Sequence, residues 1–236
     1  MSLLGSRPVH AVLFDIDDTL IDYLGARRRG IVDYVAGLGI AVDDETLSAE
    51  WLRLEDMHFR RFLAGELSWI DQRRARLRDL LSWLGATEPA GDDETDTWFA
   101  RFWALCERAI APFADVEPCL AGLAGPGVPV GVVTNNVDHV ARTKLAAAGL
   151  TDRFPVLVGT SSGHAKPDPR IFQAGCAALG VAPEHTAYVG DRLDTDAIAA
   201  MDAGLIGVWL DRTKRVPEEP VAVPAGVIRI GSLAEL

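Results

Sequence analysis

From residue 128 onward, short apolar and β-branched segments alternate with segments of helical periodicity. The apolar segments cover about 128–133, 155–158, 186–189 and 205–209, and each has a glycine or a proline at one of its boundaries. This alternation is typical of right-handed βαβ units that build a parallel sheet. An earlier apolar run, Val9–Phe14, supplies one more strand. The sequence therefore predicts an α/β fold around a parallel sheet.

The segment from about 23 to 109 interrupts this pattern and has helical periodicity throughout. Its helices are predicted at about 24–38, 44–64, 68–84 and 93–110, from apolar spacing, a serine N-cap and glycines at the ends. We therefore expect an α/β core formed by residues 1–20 and 111–236. A helical domain of residues 21–110 is inserted after the first strand, with connections at about 20–23 and 111–118.

Polar residues follow four of the five predicted strands, either directly or in the next loop. Because ligands bind at the carboxyl ends of parallel strands, these residues are expected to meet in one crevice although they are far apart in sequence. In strand order they are Asp15 and Asp17, then Thr134 and Asn135, then Lys166, then Asp191 and Asp196.

The residue types point to phosphoryl transfer. Carboxylates around one point suit Mg²⁺, a hard cation that prefers oxygen ligands. A lysine ammonium group, a threonine hydroxyl and backbone N–H groups stabilise the charge spread over phosphoryl oxygens. An aspartate can also act as a nucleophile that forms an aspartyl-phosphate. The sequence thus predicts a magnesium-dependent enzyme in which a carboxylate attacks a phosphoryl group.

The order of these motifs resembles the haloacid dehalogenase-like (HAD) superfamily of hydrolases. The matching motifs are DxDxT at Asp15–Thr19, a threonine at the second strand end (Thr134), a lysine before a proline (Lys166), and GDxxxxD at Gly190–Asp196. The resemblance covers nearly the whole chain, since the inserted helices are similar to the cap domain that follows the first motif. It implies a Rossmann-like core, a helical cap and the phosphatase branch of the superfamily.

The resemblance implies distinct roles for the two aspartates of the first motif. Asp15 is the expected nucleophile, which takes the phosphoryl group and also ligates Mg²⁺. Asp17 is the expected general acid and base, which protonates the leaving oxygen and then activates water, while its backbone carbonyl ligates the metal.

The other motif residues are expected to bind the phosphoryl group or the metal. Thr134 and the Asn135 amide would hold phosphoryl oxygens, and Lys166 would neutralise charge between nucleophile and phosphate. Asp191 would complete the metal site. Asp196 either supports that site or ligates the metal itself.

Asp17 and the positions of the lysines limit which of the superfamily's reactions this chain is expected to catalyse. Dehalogenases of this superfamily lack the second aspartate, since a halide leaving group needs no proton, so Asp17 indicates an alcohol or sugar oxygen. Phosphonate-cleaving relatives use a lysine of the cap, whereas the lysines here, Lys144, Lys166 and Lys214, all lie outside 21–110. A phosphomutase, and in a different class a receiver-like module that accepts a phosphoryl group, remain as alternatives.

Composition limits the partners. A formal net charge of −11 disfavours nucleic acid, and no apolar stretch approaches the ~20 residues of a membrane span. The arginines at 27–29 and 73–78 are interpreted first as solvated helix faces, with steering of an anionic substrate as the alternative. Three widely spaced cysteines fit the reducing cytoplasm. We expect a small phosphorylated substrate and a monomer or homodimer.

Overall fold

The computed structural model describes residues 2–4, 7–212 and 222–236. The chain divides into two compact units. The α/β unit consists of Met1–Asp22 and Ala111–Leu236, and the helical unit consists of Tyr23–Ile110. Lys214, one of the lysines counted above, lies outside the described residues. Among the helices of the described ranges, none combines the length and apolar character that crossing a bilayer requires.

The α/β unit contains a parallel sheet of six strands. A short antiparallel hairpin, β1 (Ser2–Leu4) with β2 (Arg7–Val9), precedes it. The strands of the sheet are β3 (Ala11–Phe14), β4 (Val130–Val133), β5 (Val156–Val158), β6 (Thr186–Gly190), β7 (Ile206–Leu210) and β8 (Ile228–Ile230). Their order is β5-β4-β3-β6-β7-β8, and every neighbouring pair is parallel. The predicted α/β class is confirmed, with β3 at the centre.

The helical unit consists of four helices. They are α1 (Tyr23–Gly37), α2 (Asp44–Leu63), α3 (Trp69–Trp83) and α4 (Asp92–Ala109). Helix α3 begins where the sequence predicts, because the Ser68 side chain accepts a hydrogen bond from the backbone N–H of Asp71 at 3.0 Å. The four helices bury a common apolar core that includes Trp51, Leu77 and Phe102.

Two arginines of the helical unit, Arg27 and Arg76, differ from the solvated faces that the sequence favours. Glu55 lies between the guanidinium groups of Arg27 (2.5 Å) and Arg76 (2.6 Å), and Arg76 is buried. Burial opposes ionisation of Glu55, but the two positive charges outweigh it and lower the Glu55 pKa to about 2. Arg74, by contrast, pairs with exposed acidic residues of α4. The helical unit thus contains a largely buried ion cluster, Glu55 with Arg27 and Arg76, as well as ion pairs on its surface.

The remaining helices belong to the α/β unit. They are α5 (Val116–Ala124), α6 (Asp138–Ala147), α7 (Pro169–Leu179) and α8 (Ala199–Asp202), and a π-helical turn at Leu193–Ile198 runs directly into α8. Helix α7 packs tightly on the sheet. A Cβ atom at Gly175 would lie 2.6 Å from a methyl group of Val133 and 2.8 Å from one of Leu13, so only glycine permits this approach.

Three elements differ from the sequence expectation. The run Val9–Phe14 is divided at His10, where the hairpin ends and β3 begins. Helix α5 occupies a segment expected to be partly a connection, because a helix of 9 residues offers too few turns for a clear period. Strand β8 has only 3 residues and carries little signal of its own. None of these differences moves the carboxyl ends of the four strands that the candidate site residues follow.

Candidate active site

The carboxyl ends of three adjacent strands bring the predicted residues together. Asp15 follows β3, Thr134 follows the neighbouring β4, and Asp191 follows β6 on the other side. The backbone N–H of Asp15 still donates to the Val189 carbonyl at 2.9 Å, so the sheet's own ladder fixes the start of the first motif. Beyond it the chain turns sharply, with Asp18 in the left-handed region at φ 60°.

Lys166 links two carboxylates at the centre of the site. Its ammonium group lies 2.7 Å from Asp15 Oδ1 and 2.6 Å from Asp196 Oδ1, and it also donates to the Tyr188 hydroxyl at 2.9 Å. All four side chains are buried. Burial alone would lower the Lys166 pKa, but the charges of Asp15 and Asp196 raise it well above the ordinary value. The lysine therefore stays charged and balances the buried carboxylates.

Asp196 is held on both of its oxygens. Oδ1 accepts from Lys166, and Oδ2 accepts from the backbone N–H of Arg192 at 3.0 Å. A Cβ atom at Gly190 would lie 2.4 Å from the Asp196 carboxyl carbon. The glycine of GDxxxxD therefore lets the Asp196 side chain fold back against β6. This geometry suits a residue that orients Lys166.

Asp17 has a separate set of partners. Its Oδ2 atom lies 2.6 Å from Lys144 Nζ, and it accepts from Asn136 Nδ2 at 3.0 Å. The same Asn136 side chain also donates to Thr134 Oγ1 at 3.0 Å. Lys144, on α6, is 1% exposed. The two aspartates of the first motif therefore each contact a different lysine.

Thr134 and Asn135 follow β4 and serve different contacts. Thr134 Oγ1 accepts from the side chain of Asn136 and, at 3.3 Å, from its backbone N–H, which leaves the hydroxyl proton available for donation. The Asn135 side chain exchanges two hydrogen bonds with the backbone of Lys166, at 2.6 and 3.0 Å. Asn135 thus fixes the loop that carries Lys166.

The residues fit a divalent cation. One carboxylate oxygen from each of Asp15, Asp191 and Asp196 lies within 4.8 Å of the others, and such oxygens are the ligands that Mg²⁺ prefers. Burial, opposed by Lys166 and reinforced by Asp196, raises the Asp15 pKa to about 7. Burial, together with the charges of Asp196 and Asp15, raises the Asp191 pKa to about 8. Within the described ranges no cationic side chain pairs with Asp191, so a bound cation would relieve a real excess of negative charge.

Comparison with known protein families identifies the family of this chain. The haloacid dehalogenase-like hydrolase family matches residues 9–204, most of the chain. The chain belongs to this family. The resemblance predicted from the four motifs is therefore confirmed, and the protein is a hydrolase of the HAD superfamily.

Two curated relatives extend over nearly the same length as this HAD hydrolase. A phosphoserine phosphatase from Thermus thermophilus is 30% identical, with 95% of this chain and 96% of the relative covered. A glyceraldehyde 3-phosphate phosphatase from Methanopyrus kandleri is 33% identical, covering 90% and 88% of the two chains.

Two solved structures share the fold of this HAD hydrolase. The HAD-hydrolase YfnB from Bacillus subtilis, bound to magnesium, superposes with a TM-score of 0.77 at 21% identity, and 97% of each chain is covered. An L-2-haloacid dehalogenase from Xanthobacter autotrophicus superposes with a TM-score of 0.74 at 19% identity, and 96% of each chain is covered. At this level of identity the likeness shows the fold alone.

Three contact residues of this HAD hydrolase were missed by sequence reasoning. Lys144 and Asn136 contact Asp17, and Tyr188 contacts Lys166 while donating to the Val133 carbonyl at 2.8 Å. Tyr188 lies within an apolar strand and gives no signal there. Lys144 offers one, since lysine is rare in this chain and this residue lies ten residues beyond Thr134, in the second turn of the next helix.

Proposed function

We propose that this phosphoric monoester hydrolase is a Mg²⁺-dependent phosphatase of small phosphorylated metabolites that works through an aspartyl-phosphate on Asp15. The observation that carries the proposal is the division of the first motif: Asp15 contacts Lys166 and Asp17 contacts Lys144. Two carboxylates in different surroundings suit two different chemical roles.

In the first step a carboxylate oxygen of Asp15 attacks the phosphorus atom. The bond between phosphorus and the leaving oxygen breaks, and that oxygen takes the bond's electron pair and a proton from Asp17. The Lys166 ammonium group, the Thr134 hydroxyl and the backbone N–H of Asn135 would hold the phosphoryl oxygens. The products of this step are a free alcohol and the phosphoryl group bound to Asp15.

In the second step water attacks the same phosphorus atom. Asp17, now a carboxylate, takes a proton from the water, and the phosphorus–Asp15 bond breaks to release inorganic phosphate. Asp15 and Asp17 return to their starting states. The overall reaction consumes one water and forms one alcohol and one phosphate.

The metal would be held by Asp15, Asp191 and the backbone carbonyl of Asp17. Bound Mg²⁺ would supply positive charge beside the attacking carboxylate and the phosphoryl oxygens. Asp196 fits this arrangement as the partner that orients Lys166, because both of its oxygens already accept protein hydrogen bonds.

The two units would divide the work. All of the residues named above lie in the α/β unit, so residues 1–20 and 111–236 would form the catalytic core. The helical unit, inserted directly after the first motif, would serve as the cap domain that selects the leaving group. The three widely spaced cysteines are buried and suit the reducing cytoplasm, and a monomer or homodimer is expected.

The test is a panel of small phosphate monoesters with purified protein and Mg²⁺, read as release of inorganic phosphate. Phosphoserine and glyceraldehyde 3-phosphate, the compounds named in the two relatives, belong in the panel. We expect release from at least one substrate, and loss of it with chelator or in Asp15→Asn. Asp194→Asn, at an exposed carboxylate outside the network, is the matched control and keeps activity.

Three results would contradict the proposal. Mg²⁺-dependent turnover in Asp15→Asn would mean that Asp15 is not the nucleophile. Substrate isomerisation without free phosphate would indicate a phosphomutase. An aspartyl-phosphate that persists for minutes would indicate a receiver-like module.

A further inference from the structure

Lys144 is a buried cation beside the active site that none of the four motifs contains. It lies on α6, ten residues beyond Thr134, and its side chain is 2% exposed. Its ammonium group contacts Asp17 Oδ2 at 2.6 Å and Asn136 Oδ1 at 3.1 Å. Burying an ammonium group is unfavourable unless it is well paired, so the oxygens of Asp17 and Asn136 help to stabilise the charge at this position.

The contacts of Asp17 are unequal between its two oxygens. Oδ2 accepts from both Lys144 and Asn136. Oδ1 is also buried, and it has no hydrogen-bond partner among the described residues. A buried carboxylate oxygen without a hydrogen-bond partner lowers the stability of the fold, so its presence points to a functional role. The asymmetry fixes the plane of the carboxyl group and leaves Oδ1 as the oxygen without a protein partner in the described part of the chain.

Asn136 connects this arrangement to the phosphate-binding end of β4. One side chain accepts from Lys144 and donates to both Asp17 Oδ2 and Thr134 Oγ1. The position of the Asp17 carboxyl group is therefore tied to that of the Thr134 hydroxyl. General acid catalysis depends on such geometry, because the proton must lie within hydrogen-bond reach of the leaving oxygen.

We propose that Lys144 and Asn136 are positioning residues that hold Asp17 through Oδ2, so that Oδ1 carries the proton exchanged with the leaving oxygen and with water. The proposal rests on the phosphatase reaction given above. In the first step the Oδ1–H bond breaks while the leaving oxygen gains that proton. In the second step Oδ1 takes a proton from the attacking water.

A purely structural role makes a different prediction. If the Lys144–Asp17 pair only anchors α6 to the sheet, its removal lowers stability and slows all substrates by a similar factor. If Lys144 acts through Asp17, its removal slows most strongly those substrates whose leaving oxygen needs a proton. The basicity of the leaving group separates the two roles.

The experiment compares an alkyl phosphate from the active panel with p-nitrophenyl phosphate, whose leaving group needs little protonation. In Lys144→Met we expect kcat for the alkyl substrate to fall roughly 10- to 100-fold, with KM changed by less than about threefold. The first-turnover release of p-nitrophenol should fall by less than about threefold. Asn136→Ala provides a second variant that removes the other contact to Oδ2, and the same selectivity is expected there.

The matched control is Leu145→Ala, at the next residue of α6. Leu145 is buried, so this change disturbs the packing of α6 without touching the Asp17 network. It is expected to lower the melting temperature and to leave the ratio of alkyl to aryl rates unchanged.

A double-mutant cycle tests whether the effect passes through Asp17. In an Asp17→Asn background, adding Lys144→Met should change the first-turnover rate by less than about twofold, because the group that Lys144 positions is already removed.

The outcomes separate this proposal from the proposed function. A wild-type protein that releases no phosphate from any monoester overturns the phosphatase reaction itself. An active wild type in which Lys144→Met slows alkyl and aryl substrates equally, or in which the losses from Asp17→Asn and Lys144→Met multiply, overturns the positioning role alone.

Discussion

Magnesium binding to this site should release protons and strengthen steeply with pH. The perturbation is the pH of the solution, and the groups that respond are Asp15 and Asp191. Their pKa values in the metal-free protein are raised from 3.8 to about 7 and about 8, chiefly by burial and then by neighbouring carboxylates. A cation binds the ionised forms, so below these pKa values it must displace protons.

The magnitude follows from the two pKa values. Between pH 6 and pH 9 the ionised fraction of Asp15 rises from about one tenth to nearly one, and that of Asp191 from about one hundredth to about nine tenths. The product of the two changes is a gain in Mg²⁺ affinity of up to ~1,000-fold. The sign is fixed, because a raised carboxyl pKa can only make binding tighter as the pH rises. Nearly two protons should be released per ion near pH 6, and almost none above pH 9.

Isothermal titration calorimetry of the chelator-treated protein measures both quantities. Titrations in two buffers of different ionisation enthalpy give the number of protons released at each pH. In Asp191→Asn the affinity should fall, and the released proton attributed to residue 191 should disappear. Asp194→Asn, a nearby exposed carboxylate, should behave as wild type.

Two results would refute this reasoning. Mg²⁺ affinity that stays constant between pH 6 and pH 9, without proton release, would mean that burial does not hold these carboxyl groups protonated. Full affinity in Asp191→Asn would mean that the cation binds elsewhere.

Three further predictions concern stability. Gly190→Ala forces a Cβ atom against the Asp196 carboxyl group, and should lower the free energy of unfolding by about 1–3 kcal/mol in urea titrations; an unchanged value would mean that the site relaxes freely. Glu55→Gln removes the charge between Arg27 and Arg76, and should cost about 3 kcal/mol in the same assay, whereas an unaltered unfolding midpoint would contradict a stabilising ion cluster. The metal-free protein should melt at lower temperature as the pH rises from 5 to 8.5, relative to a variant with asparagine at both Asp15 and Asp191. Their folded-state pKa values are raised, so deprotonation weakens the folded state, and Mg²⁺ should remove the difference.

Sequence patterns predicted the sheet better than the surroundings of the site. The strands ending at Phe14, Val133 and Gly190 were identified because buried parallel strands form short apolar runs with distinctive polar residues after them. Helix α3 was predicted closely at both ends, since Ser68 caps its start and Gly85, at φ 64°, follows its end. Sequence patterns were enough to predict an element's ends where a capping residue or a glycine fixes the local backbone conformation.

The contacts between distant segments could not be predicted in the same way. The Lys144 ammonium group reaches Asp17 across a separation of 127 residues, and helical periodicity places a residue on a face without saying what that face meets. Tyr188 likewise appears as an ordinary strand residue until Lys166 folds against it. Such contacts depend on the packing of helices against the sheet, which follows from tertiary structure.

The fold alone does not separate the chemistries that it carries in this family. A dehalogenase and a magnesium-bound HAD-hydrolase superpose on this chain almost equally well, with TM-scores of 0.74 and 0.77. Fold similarity therefore leaves the leaving group undecided, and the decision rests on single side chains. Asp17 is one such residue, because an alkoxide leaving group needs a proton and a halide does not. The Asp17 carboxyl group can protonate the leaving oxygen only if it is correctly oriented. Its contacts with Lys144 and Asn136 would hold that orientation. If the leaving-group test succeeds, a lysine on α6 would accompany the second aspartate as a local sign of phosphate ester chemistry on this fold.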